Sequence, residues 1–344
     1  MSSLRSSAAL LAVAAATLAS PVRAQEAGGY KVTHKLTIGG EGGWDYTNVD
    51  GGRLYVSHAT KLVVIDIASE KVVGEVPNTN GIHGAAIALD LGKGFTSNGR
   101  DTTVTVFDLY TLNTIATIRT TGANPDAIHY DPFTRRLFTF NGRGENATVI
   151  NAVTHEVLAT IPLKGKPEFA QSNGHGLLYV NIETDPGQIV VIDTRTMKEV
   201  KRYPLPGCDG PSGLALDRAN DRLFSVCDKV MAVSNPKTGK IVAKVTIGDG
   251  PDAVAFDPET KLVFASNGDG TMTVVHQDGP NKYSVVETVT TQKGSRTMSL
   301  DAVTHKVYMV GVEYGPTPPA QPGQTRPPRP PIIPESFSIL VIEK

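Results

Sequence analysis

Short runs of apolar residues, each ending in a polar turn, return along this chain at a nearly constant spacing. The first residues of seven such segments lie 40 to 44 positions apart. The segments span residues 45–50, 85–90, 126–131, 168–173, 212–217, 252–257 and 296–301. A period of about 40 to 50 residues with several short strands per unit is typical of a β-propeller, so we interpret each segment as an inner strand.

Three further strands follow each inner strand in the pattern. The second reads Tyr-Val-Ser-His at 55–58 and Phe-Thr-Ser-Asn at 95–98, the third reads Val-Ile-Asp at 64–66, and the fourth alternates as at 71–76. Residues 25–344 show no helical periodicity. The sequence therefore predicts an all-β fold: one seven-bladed β-propeller of four-stranded antiparallel blades.

The two ends of the chain predict how the ring closes. The last unit has strands at 296–301, 306–311 and 337–343, and then the chain stops without a fourth strand. Lys-Leu-Thr-Ile-Gly at 35–39 repeats the pattern of Lys-Val-Thr-Ile-Gly at 244–248. We therefore expect the N-terminal strand to complete the last blade, which leaves the ring without a long exposed edge.

Residues 1–24 have the pattern of a secretory signal peptide. Arg5 precedes an apolar stretch at 8–18, and Val-Arg-Ala at 22–24 resembles a cleavage site, so we expect the mature chain to begin near Gln25. The apolar stretch is about half of the roughly 20 residues that a membrane-spanning helix needs. This pattern predicts a periplasmic or secreted protein without a membrane span, which we expect to be a monomer.

The charges are balanced over the whole chain, with 33 Lys plus Arg against 34 Asp plus Glu. Cleavage would remove Arg5 and Arg23, leaving 31 basic against 34 acidic residues and a net charge of −3. No block of like charges occurs. This charge pattern argues against a dedicated nucleic-acid binder.

The strand motifs resemble those of the YVTN-repeat β-propellers, a family that includes YncE-like exported proteins. The resemblance rests on the motifs at 55–58, 95–98 and 64–66 and on Gly-Pro at 210–211 and 250–251, and it covers residues 25–344. It implies the fold, but propellers of this kind include binding scaffolds, redox subunits and hydrolases, so function has to be argued from the site.

The first residues of the seven inner strands are expected to meet around one central mouth. They are Asp45, Ala85, Asp126, Glu168, Ser212, Asp252 and Arg296. The four carboxylates Asp45, Asp126, Glu168 and Asp252 suit a divalent cation such as calcium, which a hydrolase or lactonase could use as a Lewis acid. A second interpretation is that each carboxylate accepts hydrogen bonds from backbone N–H groups of an adjoining loop, and a third is that the carboxylates act directly in catalysis. Apart from such a cation, the sequence predicts no cofactor.

The second strands are expected to end on the same face, and His83 is expected in the loop before the second inner strand. Trp44, the only tryptophan, would contact a ligand there or plug the channel. Arg296 is either a salt-bridge partner or an anchor for an anionic ligand. The candidate ligand-binding residues are Trp44, His58, His83, Asn98, Asn141, Asn267 and Arg296.

Two further features concern loops at the mouth. Nine of the nineteen residues at 316–334 are proline, which favours an extended segment; with Arg326 and Arg329 it would be a lid, a docking peptide or a loop that spans the blade. The hairpin of 215–217 with 222–224 places Cys227 near the loop that contains Cys208. We expect these cysteines to form a disulfide in an oxidising compartment, the alternative being two reduced thiols.

The sequence favours a binding or scaffold protein that presents an acidic funnel to a protein, a polymer or a small ligand, because no assembled catalytic set is visible. The first alternative is a metal-dependent hydrolase or lactonase with its site in the funnel. The second is single-stranded DNA binding, as the resemblance to YncE-like relatives implies, although an acidic ring disfavours phosphate binding.

Overall fold

A computed structural model describes residues 29–319, 328 and 330–344. The expected signal peptide at 1–24, the expected start of the mature chain at Gln25, and Arg326 and Arg329 lie outside the described residues. No helix in the described ranges is long and apolar enough to cross a membrane. The described residues form seven sheets, each with four antiparallel strands.

The strands are numbered in chain order, and their bounds in the first four complete blades follow. They are β2 Thr47–Asp50, β3 Arg53–His58, β4 Lys61–Asp66 and β5 Lys71–Val76; β6 Ile82–Ala88, β7 Lys93–Asn98, β8 Thr103–Asp108 and β9 Thr114–Arg119; β10 Pro125–Asp131, β11 Arg136–Asn141, β12 Asn146–Asn151 and β13 Val157–Pro162; β14 Lys166–Ser172, β15 Leu177–Glu183, β16 Gly187–Asp193 and β17 Lys198–Leu205. A 3₁₀ turn, Leu89–Leu91, follows β6.

The remaining blades include the one that joins the two ends of the chain. They are β18 Leu214–Asp217, β19 Arg222–Cys227, β20 Val230–Ser234 and β21 Ile241–Thr246; β22 Pro251–Asp257, β23 Leu262–Asn267, β24 Thr271–Gly279 and β25 Lys282–Thr290; and β26 Met298–Asp301, β27 Lys306–Gly311 and β28 Ser338–Glu343 with β1 Lys31–Thr37. In this last sheet β1 pairs antiparallel with β28, from Lys31 opposite Glu343 to Thr37 opposite Ser338. The predicted fold and ring closure are confirmed.

The apolar core is divided among the contacts between blades. Seven clusters of buried side chains occur in the described residues, and each lies between two neighbouring blades. Aromatic residues of the second strands occupy their centres; Phe95, Phe138, Phe224 and Phe264 are completely buried. The repeat fixes this arrangement because alternate side chains of a strand point to opposite faces of its sheet, and each face meets a neighbour.

The structure corrects the predicted bounds of the second inner strand. That strand was expected over 85–90, but β6 begins at Ile82 and ends at Ala88, and residues 89–91 form the 3₁₀ turn. His83 therefore lies inside β6 and not in the loop before it. The difference matters because an inner strand holds its side chains more firmly than a loop.

The fifth blade is tied to its entering loop by a covalent bond. Cys208 and Cys227 form a disulfide, with Cα atoms 5.2 Å apart. Cys227 is the last residue of β19, and Cys208 precedes β18. This is the pairing that the hairpin geometry predicted.

Candidate functional site

Polar side chains reach the channel because four inner strands change register near their starts. The shifted residues are His83 in β6, Asp126 in β10, Glu168 in β14 and Asp252 in β22. A register shift of this kind bends the strand and changes the direction of its side chains. In β10, β14 and β22 a proline precedes the acidic residue, and proline cannot donate a hydrogen bond to the neighbouring strand.

A serine of the repeat motif holds these strand starts in place. Ser97 Oγ accepts a hydrogen bond from Gly84 N at 3.1 Å and donates one to the carbonyl oxygen of Asp126 in the next blade. Ser266 Oγ donates in the same way to the carbonyl oxygen of Arg296. One hydroxyl therefore connects the starts of two neighbouring inner strands, so the folding motif also positions the mouth.

His83 lies between two carboxylates on the first three blades. Its Nδ1 is 2.6 Å from Asp45 Oδ2 and 3.3 Å from Asp126 Oδ1. Tyr46 N donates to His83 O at 2.9 Å, which keeps Asp45 beside the imidazole. Burial alone would lower the pKa of His83, but the hydrogen bond to Asp45 and the charges of Asp126 and Asp45 outweigh it and raise the pKa.

Glu168 has its own partners on the neighbouring blade. Lys166 Nζ lies 2.5 Å from Glu168 Oε1 and 2.5 Å from Glu183 Oε2, and Tyr46 Oη donates to Glu168 Oε2 at 3.0 Å. Burial would lower the pKa of Lys166, but the two carboxylates raise it, so the ammonium charge is retained. Glu168 is therefore held in an ion pair.

Asp252 faces Arg296 on the far side of the mouth, with Asp252 Oδ2 3.3 Å from Arg296 Nε. Burial raises the pKa of Asp252 to about 7, against the opposing effect of the Arg296 guanidinium. Burial likewise raises the pKa of Asp126 to about 7, with His83 opposing. The geometry agrees with the salt-bridge interpretation of Arg296.

Two aromatic rings meet across the channel at the level of the carboxylates. Tyr46 of the first blade and Phe169 of the fourth pack edge to face, with ring centroids 4.6 Å apart. A Cβ atom at Gly84 would lie 3.1 Å from the Tyr46 ring, so glycine leaves the room that the ring needs. Burial raises the pKa of Tyr46 well above its ordinary value, and Asp126 and Glu168 add to the rise. The two rings therefore occupy part of the channel.

Three cavities border the mouth. One of about 430 Å³ is lined by Trp44, Asp45, His83 and Arg100, and one of about 420 Å³ by His83, Arg100, Asn124 and Arg143. The third, about 790 Å³, is lined by Trp44, Lys293 and Arg296 among others. Trp44 is partly buried beside Phe337, with ring centroids 5.9 Å apart, and separates the first cavity from the third.

The rim of these cavities is basic. Arg100, Arg143 and Lys293 are exposed, and none of the ion pairs formed within the described residues uses them. Sequence reasoning missed these residues, although a signal was present: Asn-Gly-Arg occurs at both 98–100 and 141–143, directly after a second strand. It also missed Tyr46, and the repeated Pro-Asp or Pro-Glu pair would have marked the channel strands.

The predicted asparagines do not line the mouth surface. Asn98, Asn141 and Asn267 are at most 1% exposed, and each amide Nδ2 donates to two side chains of the third strand in its own blade. His58 is 1% exposed and stacks on Phe337 with ring centroids 3.8 Å apart. The structure therefore places these four residues inside blades or under the surface, whereas Trp44, His83 and Arg296 do border the mouth.

The predicted metal ligands are divided. Asp45 and Asp126 come together with His83, and the three ligand atoms lie within 4.8 Å of one another. Glu168 is paired with Lys166, and Asp252 with Arg296. The structure thus brings two of the four predicted carboxylates together with one imidazole and places each of the other two beside a cationic side chain.

Solved structures of other proteins share this architecture. A chain of the structure titled "Kuenenia stuttgartiensis Hydrazine Synthase" superposes with a TM-score of 0.69 at 17% identity, over 78% of this chain and 92% of that one. A chain of the "Crystal Structure of Mitotic Checkpoint Complex" superposes with a TM-score of 0.71 at 11% identity, over 89% and 96%. No family model and no curated protein matches the sequence. At these identities the likeness concerns the fold: the chain is a seven-bladed β-propeller.

Proposed function

We propose that this protein is a binding propeller whose mouth takes a small ligand with an anionic group. The observation that carries the proposal is the unequal pairing of charges at the mouth. Glu168, Asp252 and Asp45 each lie beside a cationic or imidazole group, whereas Arg100 and Arg143 have no ion-pair partner within the described residues. The positive charges of Arg100 and Arg143 at the rim therefore remain available for a ligand.

The rim suits a carboxylate or a phosphate ester. A guanidinium presents a planar set of donors that matches the two oxygens of such groups. Arg100 borders two of the cavities, one of them shared with Trp44 and the other with Arg143. An anionic group on Arg100 would place the rest of a small ligand against the Trp44 ring.

Fluorescence of Trp44 tests this proposal, because it is the only tryptophan of the chain. Titration with citrate or glycerol 3-phosphate should give a saturable change, and glucose should give none. The double variant Arg100→Gln, Arg143→Gln should weaken binding at least about 10-fold, since two charge-assisted contacts are lost. Arg119→Gln, an exposed arginine on the outer strand β9, is the matched control. Equal responses from glucose and citrate would contradict the proposal.

Single-stranded DNA is a second candidate because Trp44 borders one cavity together with Lys293 and Arg296. Aromatic rings beside cations are the usual surface for stacked bases. Titration with oligo(dT), monitored by Trp44 fluorescence, tests this second candidate. Repeating the titration in the presence of citrate shows whether the two ligands compete. No observation on the described residues favours the hydrolase or lactonase alternative, and it is not proposed.

We further propose that the chain is an exported member of the YVTN-repeat, YncE-like group. The repeated motifs in β3 and β7 support the family, and the disulfide between Cys208 and Cys227 supports an oxidising compartment. Fractionation of cells followed by N-terminal mass determination tests the export. A product that begins at Met1 and is retained in the cytoplasm would contradict it.

A further inference from the structure

The cluster of Asp45, His83 and Asp126 brings three lone-pair donors to one point. It is the one group of three potential metal-ligating side chains that lie this close together within the described residues. Asp126 is 6% exposed, and its Oδ1, which faces His83 Nδ1, has no hydrogen-bond partner in the described part of the chain. A buried carboxylate oxygen without a partner is costly, and either a proton on Asp126, whose pKa burial raises to about 7, or a bound cation removes that cost.

A proton on the imidazole does not solve this problem. The Nδ1–H of His83 points to one acceptor at a time, and Asp45 at 2.6 Å is the better placed one. That leaves Asp126 Oδ1 at 3.3 Å without a donor. Lys166, the nearby ammonium, already lies 2.5 Å from Glu168 and from Glu183.

We propose that Asp45, His83 and Asp126 bind one divalent transition-metal ion, such as Zn²⁺ or Mn²⁺. A single ion accepts lone pairs from Nδ1 and both carboxylates at once, which satisfies the oxygen that a proton leaves unpaired. An imidazole ligand favours such an ion over Ca²⁺, which prefers oxygen ligands only. The site borders the cavities that Arg100 lines, so its test uses the metal alone, without an anionic ligand.

The surroundings of His83 fit a ligand role. A hydrogen bond with the Asn124 side chain contributes to the raised pKa of His83. A Cβ at Gly99 would lie 2.5 Å from His83 Nε2 and 2.9 Å from Asn124 Oδ1, so this nitrogen and this oxygen lie close to the same glycine. A hydrogen bond from Nε2–H to an amide oxygen fixes the ring and leaves Nδ1 for the metal, as outer partners of ligating histidines commonly do. Asp45 and His83 border the cavity of about 430 Å³, which gives the ion a path from solvent.

Metal binding by the untagged protein tests the proposal. After treatment with EDTA and removal of the chelator, titration with Zn²⁺ should show one equivalent bound per chain, more tightly than Ca²⁺, with a rise in melting temperature by mass action. His83→Gln and Asp126→Asn should each weaken Zn²⁺ binding at least about 100-fold. Asp252→Asn, at a partly buried carboxylate outside the cluster, is the matched control and should bind within about 3-fold of the parent.

Co²⁺ provides a second measurement that does not depend on stability. Its visible absorption in the parent should report a nitrogen ligand and should change in His83→Gln, with near-ultraviolet circular dichroism used to verify that the variant is folded. If Asp126→Asn fails to fold, Asp45→Asn replaces it, because Asp45 is more exposed. Stoichiometric Zn²⁺ binding that survives His83→Gln, or no binding by the folded parent, would overturn the proposal.

Discussion

The ends of the second strands and the starts of the inner strands both carry polar side chains near one mouth, but the two regions are built differently. At the strand ends, Asn98, Asn141 and Asn267 are buried and donate to the neighbouring strand of their own blade. At the strand starts, Asp126 and Asp252 lie at register shifts and face charged groups of other blades. The first region stabilises single blades, whereas the second assembles groups from several blades.

The ends of the second strands are held in place by different interactions in different blades. Where the asparagine is absent, Cys227 forms a disulfide with Cys208, and His58 stacks on Phe337. Each residue ties the same end of a second strand to its surroundings. A polar residue that recurs in a repeat together with its partners therefore belongs to the fold, and a polar residue that varies among the blades is the better candidate for a site.

Among the contacts at the strand ends, loss of the disulfide should reduce the free energy of unfolding most. Cys208→Ser combined with Cys227→Ser opens a loop with a sequence separation of 19 residues and should cost about 3 kcal/mol of unfolding free energy in the chain-entropy model. Chemical denaturation under non-reducing conditions measures this loss. A reduced parent should match the double variant, and a parent that reduction leaves unchanged would show that the bond contributes nothing.

Asn141→Ala should have the next largest effect, about 2 kcal/mol of destabilisation. The substitution removes the donor to Asn146 Oδ1 at 2.7 Å and to Thr148 Oγ1 at 2.9 Å, and it leaves a buried acceptor on Thr148 and a partly buried one on Asn146. Asn113→Ala, at an exposed turn, is the control and should change the stability by less than about 0.5 kcal/mol. Equal effects of the two substitutions would remove the distinction between the two regions.

The fold could be predicted from the sequence because its determinants are local and repeated. The period, the alternation and the lack of a fourth strand after the one at 337–343 sufficed for seven blades and for closure by β1. For the site, only its location could be predicted from the sequence. Which carboxylate meets which cation depends on register shifts of one residue in β6, β10 and β22, and a pattern with a tolerance of a few residues does not resolve them.

The position of His83 illustrates this limit. Sequence reasoning placed it in a loop, where its direction would be free, whereas the shift inside β6 points it at Asp45 and Asp126. Arg100 and Arg143 were missed for the opposite reason. They lie beyond the strand motif, and a repeat analysis gives weight to the motif and not to the residue after it.

Asp252→Asn should stabilise the protein, in contrast to the strand-end substitutions. Because the folded pKa of Asp252 is raised to about 7 from an ordinary 3.8, the folded state binds more protons than the unfolded state between these values. Stability contributed by this group therefore falls as the pH rises through that window. The variant should gain about 1 kcal/mol at about pH 8, less than the full shift because Arg296 loses its partner.

The same pair of proteins supplies the control for this effect. Below about pH 3 Asp252 is protonated in both states, so parent and variant should have the same stability. Thermal unfolding of both proteins across the range from about pH 3 to pH 8 measures the difference. A gain that does not depend on pH would show that packing, and not the buried charge, is responsible.

Arg100→Gln and Arg143→Gln should have the smallest effect on stability, below about 0.5 kcal/mol each, because both side chains are exposed and neither forms an ion pair within the described residues. Asn98 and Asn141 lie only two residues before these arginines and belong to the strand ends. The two classes of residue can therefore be compared over a very short stretch of chain. Denaturation of all four single variants, Asn to Ala and Arg to Gln, compares the two classes over that short distance. If the arginine variants lost as much stability as Asn141→Ala, the rim would be part of the fold, and its cations would be structural groups with no charge to spare for a ligand.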